Sequence, residues 1–407
     1  MVGAPPPHRI RTGLDRLAEH DLALSLLRDR RVGVLGHAAS CTSDYVPLPR
    51  RLAELGVQPA VWFGPEHGFG GAAQDMVGVH DARDEEGTRV VSLYGDRAED
   101  LVPHPDDLRG LDRLLIDLVD VGARYYTYVW TALLAVEAAA KVGVPSLILD
   151  RPNPLGRDRV EGRLVDDGYR SFVGWAPVPI RHGLTLAEMV LAFFEPRAAL
   201  GADGAVAVVA TEGGDGAPLP LASPGWVQPS PNMPHLATAR VYPGGCLLEG
   251  TLLSEGRGHT RPFEFFGAPF VDGERLARDL HALGLPGFVA RPVVFIPTFH
   301  KHGGQPCGGL QVHVTDVDTF RPVATYAAAI ALCHHQNPEA FRFRTERYEF
   351  IDDIPAFDLL TGSAEAREAI VSGASPRAVA EAVSTVDVAA WAEVRDRARA
   401  RFHDAVI

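Results

Sequence analysis

Long apolar runs are missing from this 407-residue chain. No stretch reaches the ~20 consecutive apolar residues that a membrane-spanning helix needs. The opening residues, Met1-Val-Gly-Ala-Pro-Pro-Pro-His-Arg-Ile10, contain no apolar core of the kind a secretory leader carries, so a cytoplasmic location is expected. Cysteine is scarce: Cys41, Cys246, Cys307 and Cys333 lie far apart and form no C-x-x-C pair. That excludes zinc-finger spacing and favours buried, reduced thiols, with an even count leaving a disulfide open. Positive charge is in deficit, with 39 Lys and Arg against 52 Asp and Glu and a net charge of -13. Such a chain has no broad basic face for nucleic acid, and an anionic substrate would need a local Arg or Lys inside a cleft. No G-x-G-x-x-G or P-loop follows the first apolar run, which ends in Gly36-His-Ala-Ala-Ser40. H-E-x-x-H and G-x-S-x-G are absent as well, and no nucleotide, metal or other cofactor is expected.

What is present is the balance of a globular protein, 46% hydrophobic and 22% charged, at a length that suggests two domains. In the first 150 residues short apolar runs at 31–35, 58–63, 89–93, 114–119 and 146–149 read as buried strands, with helices at 47–55 and 127–142. Strands alternating with helices predict βαβ units and a parallel sheet, a Rossmann-like α/β domain over 1–160. Beyond it, Pro- and Gly-rich loops separate strands at 205–210, 247–253, 293–296 and 309–314. Helices are expected at 185–194, 273–283 and 323–334, with a helical stretch over 364–403. This predicts a smaller α+β domain over 161–407 with a terminal helical cap.

In parallel sheets, ligands sit outside the carboxyl ends of the strands. Three polar clusters fall there: Glu66-His67; Asp117, Asp120 and Arg124; and Asp150-Arg151-Pro-Asn153. Glycoside cleavage asks for an acid held rigidly beside the leaving oxygen and a second group at the anomeric carbon. Glu66 fits the first role, since Gly64, Pro65 and Gly68 make a tight, stiff turn around it. A loop glutamate at a helix start, or one paired with His67, fits the same residues. Arg124 has the planar fork that binds a carboxylate, and Tyr125, Tyr126 and Tyr128 can stack on a sugar; a structural Asp–Arg pair with core tyrosines is the alternative. Arg151 and Asn153 can reach hydroxyl or amide groups, or satisfy each other. Further on, Pro229-Ser-Pro-Asn-Met-Pro234 contains Asn232. Glu249, Glu255 and Arg257 stand among glycines in 249–258. A local excess of histidines, His300, His302, His313, His334 and His335, reads as solvent-facing rather than metal-binding.

Taken in order, Phe63-Gly-Pro-Glu-His-Gly68, Ser92-Leu-Tyr-Gly95, Asp117-Leu-Val-Asp-Val-Gly122, Arg124-Tyr-Tyr-Thr-Tyr128, Leu149-Asp-Arg-Pro-Asn-Pro154, Pro229-Ser-Pro-Asn-Met-Pro234, Glu249-Gly250, Ser254-Glu-Gly-Arg-Gly258, Pro262-Phe-Glu264 and Gly267-Ala-Pro269 resemble the exo-β-N-acetylmuramidases over about residues 10 to 405. The resemblance implies a Rossmann-like domain, a smaller partner domain and a cleft between them. It implies hydrolytic release of terminal N-acetylmuramic acid from peptidoglycan glycans, and Glu66 as catalytic acid. On that reading Asp120 or Glu255 assists from the other side, and Arg124 and Arg257 hold the lactyl carboxylate. His67, Tyr126, Arg151, Asn153 and Asn232 shape the sugar pocket. Two departures, Leu118-Val119 where Ile-Gln is common and Leu252 where Asn is common, bear on finer sugar preference. A hydrolase of another acidic or N-acetylated sugar, a non-catalytic binder of muropeptide sugars, and a metal-dependent hydrolase are the rival readings. Oligomeric state is not legible.

Overall fold

The computed structural model describes residues 10–407 apart from 75, 85, 196–204, 215 and 224. The larger sheet has seven strands: β1 Val32–Gly36, β2 Pro59–Gly64, β3 Ala82–Arg83, β4 Arg89–Ser92, β5 Arg113–Asp117, β6 Ser146–Leu149 and β7 Val206–Val209. Their order is β3-β4-β2-β1-β5-β6-β7, and only the short edge strand β3 runs antiparallel. Every residue of β1, β6 and β7 is buried, as expected of parallel strands covered on both faces. Strand β1 has β2 on one side and β5 on the other. The chain therefore leaves β1 in opposite directions, and the loops at its carboxyl end part to leave a crevice.

The helices follow from local signals. Helix α1 (Leu48–Glu54) starts after Pro47 with Pro49 in its first turn. Helix α2 (Tyr128–Lys141) is apolar almost all round and lies in the interior, ending before Gly143 at φ 81°. Helix α3 (Leu186–Phe193) begins with a reciprocal Thr185–Glu188 capping box.

The smaller sheet is antiparallel, with strands β8 Phe265–Ala268, β9 Phe288–Phe295 and β10 Cys307–Val314 in the order β8-β10-β9. Helices α4 (Leu236–Gly245), α5 (Gly273–Ala282) and α6 (Pro322–Gln336) accompany it. The strand expected at 247–253 is instead a 3-10 turn, Cys246–Gly250, that continues from α4. A short buried apolar run fits either element, and glycines decide it here. A Cβ on Gly250 would lie 2.5 Å from the Phe357 backbone, so the turn packs closely on another chain segment, and beyond it Thr251 makes an isolated antiparallel bridge with Phe343.

Strand β7 pairs in parallel with β6 from Ser146↔Val206 to Leu149↔Val209, so the first sheet runs well past the division expected at residue 160. The terminal helix α7 (Val388–Ala405) also belongs with that sheet. It packs on α3, Val406 bridges Val208, and the Ile407 amide donates to the Val208 carbonyl at 3.1 Å. One continuous cluster of buried apolar side chains extends from Leu35 to Ala398 through both sheets.

Candidate active site

Glu66 leaves β2 through Gly64-Pro65. A Cβ on Gly64 would meet the Phe69 amide at 2.7 Å, and His67 and Gly68 take left-handed φ of 70° and 78°. This tight reversal turns the Glu66 side chain inward, where it is 6% exposed. Its Oε2 accepts a hydrogen bond from Thr127 Oγ1 at 2.7 Å, at the start of α2. The Tyr128 hydroxyl reaches the Pro229 carbonyl at 2.9 Å and so ties this turn to the opposite wall. His67 Nδ1 lies 2.8 Å from the Ala73 carbonyl oxygen, which fixes the ring.

The opposite wall is built from charge. Arg257 donates to Glu249 Oε1 at 2.6 Å and to Glu255 Oε1 at 3.0 Å. Lys301 Nζ donates to Glu255 Oε2 at 2.9 Å, and His300 Nδ1 lies 3.2 Å from Oε1. Burial alone would raise the Glu255 carboxyl, but Lys301, His300 and Arg257 outweigh it and hold that group well below the usual carboxylate range. Tyr348 donates its hydroxyl to Glu249 Oε2 at 2.7 Å, and Tyr94 donates to Glu349 Oε2 at 3.1 Å. Burial pushes the Tyr126 phenol far up, so it stays protonated.

Between the walls, Glu66, His67, Tyr126, Asn232, Arg257 and two further carboxylates, Glu249 and Glu349, line one narrow cavity of about 30 Å³. Glu349 also borders two outer hollows of about 250 Å³ and 420 Å³. The tertiary structure thus joins Glu66, His67, Tyr126, Asn232 and Arg257 from distant parts of the chain.

The other expected residues lie elsewhere. Glu255 is fully buried behind Arg257 and does not face the cavity. Arg124 is 0% exposed, and its guanidinium donates to the carbonyls of Arg163 (2.8 Å), Val178 (2.7 Å) and Leu360 (2.6 Å). It is a rivet between backbone segments and has no path to a ligand carboxylate. Asn153 is used up locally, donating to the Leu184 carbonyl and accepting from the Leu155 amide, both at 2.9 Å. Arg151 makes a buried bidentate pair with Asp117 at 2.5 and 2.9 Å. Asp120 Oδ2 accepts from the Gly122 amide at 2.7 Å. Arg151 and Asp120 both line a second, larger cavity of about 460 Å³ at the β1/β5 crevice, whose surface is mainly apolar and includes Cys41 and Trp226. Size favours that cavity, but the cavity around Glu66 gathers a buried acid on a rigid strand-end turn, a cation and two further carboxylates, and chemistry decides.

Glu249, Glu349, Tyr94, Tyr348 and Thr127 complete the site. Glu249 stands in a glycine-rich motif and Thr127 in the tyrosine-rich one, so both were within reach of the sequence. Tyr348-Glu349-Phe350 carries no glycine, spacing or periodicity that would single it out.

Three comparisons bear on this site. Residues 32–237 match the family described as exo-beta-N-acetylmuramidase NamZ, N-terminal, and residues 240–399 match its C-terminal counterpart. The peptidoglycan beta-N-acetylmuramidase NamZ of Bacillus subtilis (strain 168) is 37% identical over 374 residues, 90% of this chain and 86% of that protein. A crystal structure of a DUF1343 family protein from Bacteroides fragilis NCTC 9343 is similar with a TM-score of 0.83 at 30% identity, covering 97% of this chain and 99% of that one. A second DUF1343 family protein from the same organism shares the fold with a TM-score of 0.64 at 24% identity, covering 98% of each chain.

Proposed function

Because this chain belongs to the exo-β-N-acetylmuramidase family and is a glycoside hydrolase acting on peptidoglycan, we propose that it frees terminal N-acetylmuramic acid by proton donation from Glu66 to the glycosidic oxygen. The observation that carries this reading is the buried Glu66 carboxylate, set on a rigid strand-end turn and aimed into a cavity it shares with a cation. Arg257 is the Arg or Lys that lines this cavity among the described residues, and it receives the lactyl carboxylate of the sugar. Tyr126 and Asn232 frame the ring. The four cysteines are buried and form no disulfide, which fits a reducing compartment and a role in recycling cell-wall fragments.

The test is turnover of a chromogenic β-N-acetylmuramide beside the matching N-acetylglucosaminide. The muramide alone is expected to be cleaved. On a muramide with a poor leaving group, Glu66→Gln is expected to lower kcat by roughly 10²- to 10⁴-fold, the usual contribution of a positioned acid. Full activity in that variant removes Glu66 from the mechanism. Equal cleavage of both reporters instead favours a hydrolase of N-acetylated sugars at large.

A further inference from the structure

Hydrolysis of a glycosidic bond commonly engages a carboxyl group on each side of it. The acids that the sequence offered for the second position, Asp120 and Glu255, lie outside the cavity of Glu66. We propose that Glu349 is the second catalytic carboxylate, the base that acts opposite Glu66; this rests on Glu66 as the proton donor.

Three observations lead there. Glu349 lines the same cavity as Glu66, and it borders the outer hollows from which water arrives. Second, its backbone is held in an unfavourable form. Tyr348 and Ile351 pair with each other through two 3.0 Å hydrogen bonds, and the two residues between them, Glu349 and Phe350, take φ of 46° and 70°. Glycine or asparagine is the usual occupant of such a turn. Glutamate and phenylalanine persist there only because the surroundings overdetermine them, a situation that clusters at active sites. Third, the bracing comes from the site itself. Tyr94 donates to Glu349 Oε2, the Phe350 ring packs 5.6 Å from the Tyr94 ring, and Tyr348 anchors on Glu249. Glu249, the remaining carboxylate of the cavity, is paired with Arg257 at 2.6 Å.

In the step this assigns, Glu66 gives its proton to the glycosidic oxygen as the bond from that oxygen to C1 breaks. Glu349 takes a proton from a water whose oxygen bonds to C1 on the opposite face. The products are N-acetylmuramic acid in the α configuration and the shortened glycan with a free hydroxyl. The proton on Glu349 then leaves to solvent, and Glu66 is reprotonated from it.

The experiment compares Glu349 and Glu66 variants on muramide reporters with good and poor leaving groups, with folding checked by circular dichroism. Glu349→Gln is expected to lose at least roughly a hundredfold in kcat on both reporters with KM within about threefold. Glu66→Gln should regain turnover on the 2,4-dinitrophenyl reporter, which needs no acid, so failure of one assignment is separable from failure of the other. Azide should restore turnover to Glu349→Ala as an α-glycosyl azide, and proton NMR of the wild-type reaction should show the α anomer first. Activity of Glu349→Gln within about tenfold of wild type, no effect of azide, or the β anomer first would each overturn the proposal. Should the Glu349 variants fail to fold, Tyr94→Phe serves. Losing that donor raises the base's pKa, so the acid limb of kcat/KM moves to higher pH, and an unmoved limb overturns the proposal.

Discussion

Two arginines of similar promise in the sequence part company once their surroundings are known. Arg257 faces the cavity between Glu249 and Glu255, whereas Arg124 donates from Nη1 and Nη2 to three backbone carbonyls. Burial lowers the Arg124 pKa to about 10, yet it stays charged at neutral pH. A lysine keeps the charge at either position but loses the planar fork. Arg257→Lys is therefore expected to raise KM for the muramide by roughly tenfold, equivalent to about 1.4 kcal/mol, with a smaller change in stability. Arg124→Lys should destabilise the protein by about 1–3 kcal/mol through carbonyls left unpaired, and leave KM of the folded fraction unchanged. Steady-state kinetics beside urea unfolding of both variants checks the pair. A raised KM in Arg124→Lys would return that residue to the substrate.

At the scale of elements, the end of β6 meets the start of α3. Asp150 closes the strand, and its Oδ1 accepts from the Ala187 amide at 3.2 Å. Burial, then the nearby Glu188 charge, raise the Asp150 carboxyl to about 7, and burial raises Glu161 likewise to about 7. The folded values lie above the unfolded ones, so folding favours the protonated forms. Their contribution is complete below about pH 4 and is lost as pH rises through 7. Each such group tilts stability by up to about 1.4 kcal/mol per pH unit in that window. Urea unfolding at pH 5 and pH 8 should thus show greater stability at pH 5 from this source, and Asp150→Asn should flatten the difference. An unchanged slope in Asp150→Asn places the titration elsewhere. The strand that carries Asp150 was plain in the sequence, because Ser146-Leu-Ile-Leu149 is a short, mainly apolar run that ends at the polar Asp150. The run at 247–253 misled, since leucines in series look alike in a strand and in a buried turn.

Across the whole molecule, the last residues come back to an early segment and to the large sheet. Helix α7 and the residues after it lie on α3 and β7, and His20 Nε2 is 2.6 Å from the Ile407 carbonyl oxygen. Trp391 and Ala398 are buried in that contact layer. Ending the chain at residue 387 should therefore lower Tm by roughly 10 °C or more, or prevent folding, because the edge of β7 and the apolar face of α3 lose their cover. Differential scanning calorimetry of the shortened chain tests this. An unshifted Tm would mean that the terminal helix is an appendage. The same long-range packing creates the site: Glu66 comes from the large sheet, while Arg257 and Glu349 come from segments nearly two hundred and nearly three hundred residues later.

Read alone, the sequence determined the parallel sheet, its strand-end turns and the rigid setting of Glu66. Those depend on local apolar runs, on Gly64 and Gly68, and on Pro65, all of which act within a few residues. Tertiary structure decided which charges meet. Asp117 with Arg151, Arg124 with three carbonyls, and Arg257 with Glu249 and Glu255 are choices set by burial, because a buried charge takes whichever partner the fold delivers. Glu349 depends wholly on that level: its left-handed turn runs against local preference and is held by Tyr94, and by Tyr348 anchored on Glu249, from remote parts of the chain.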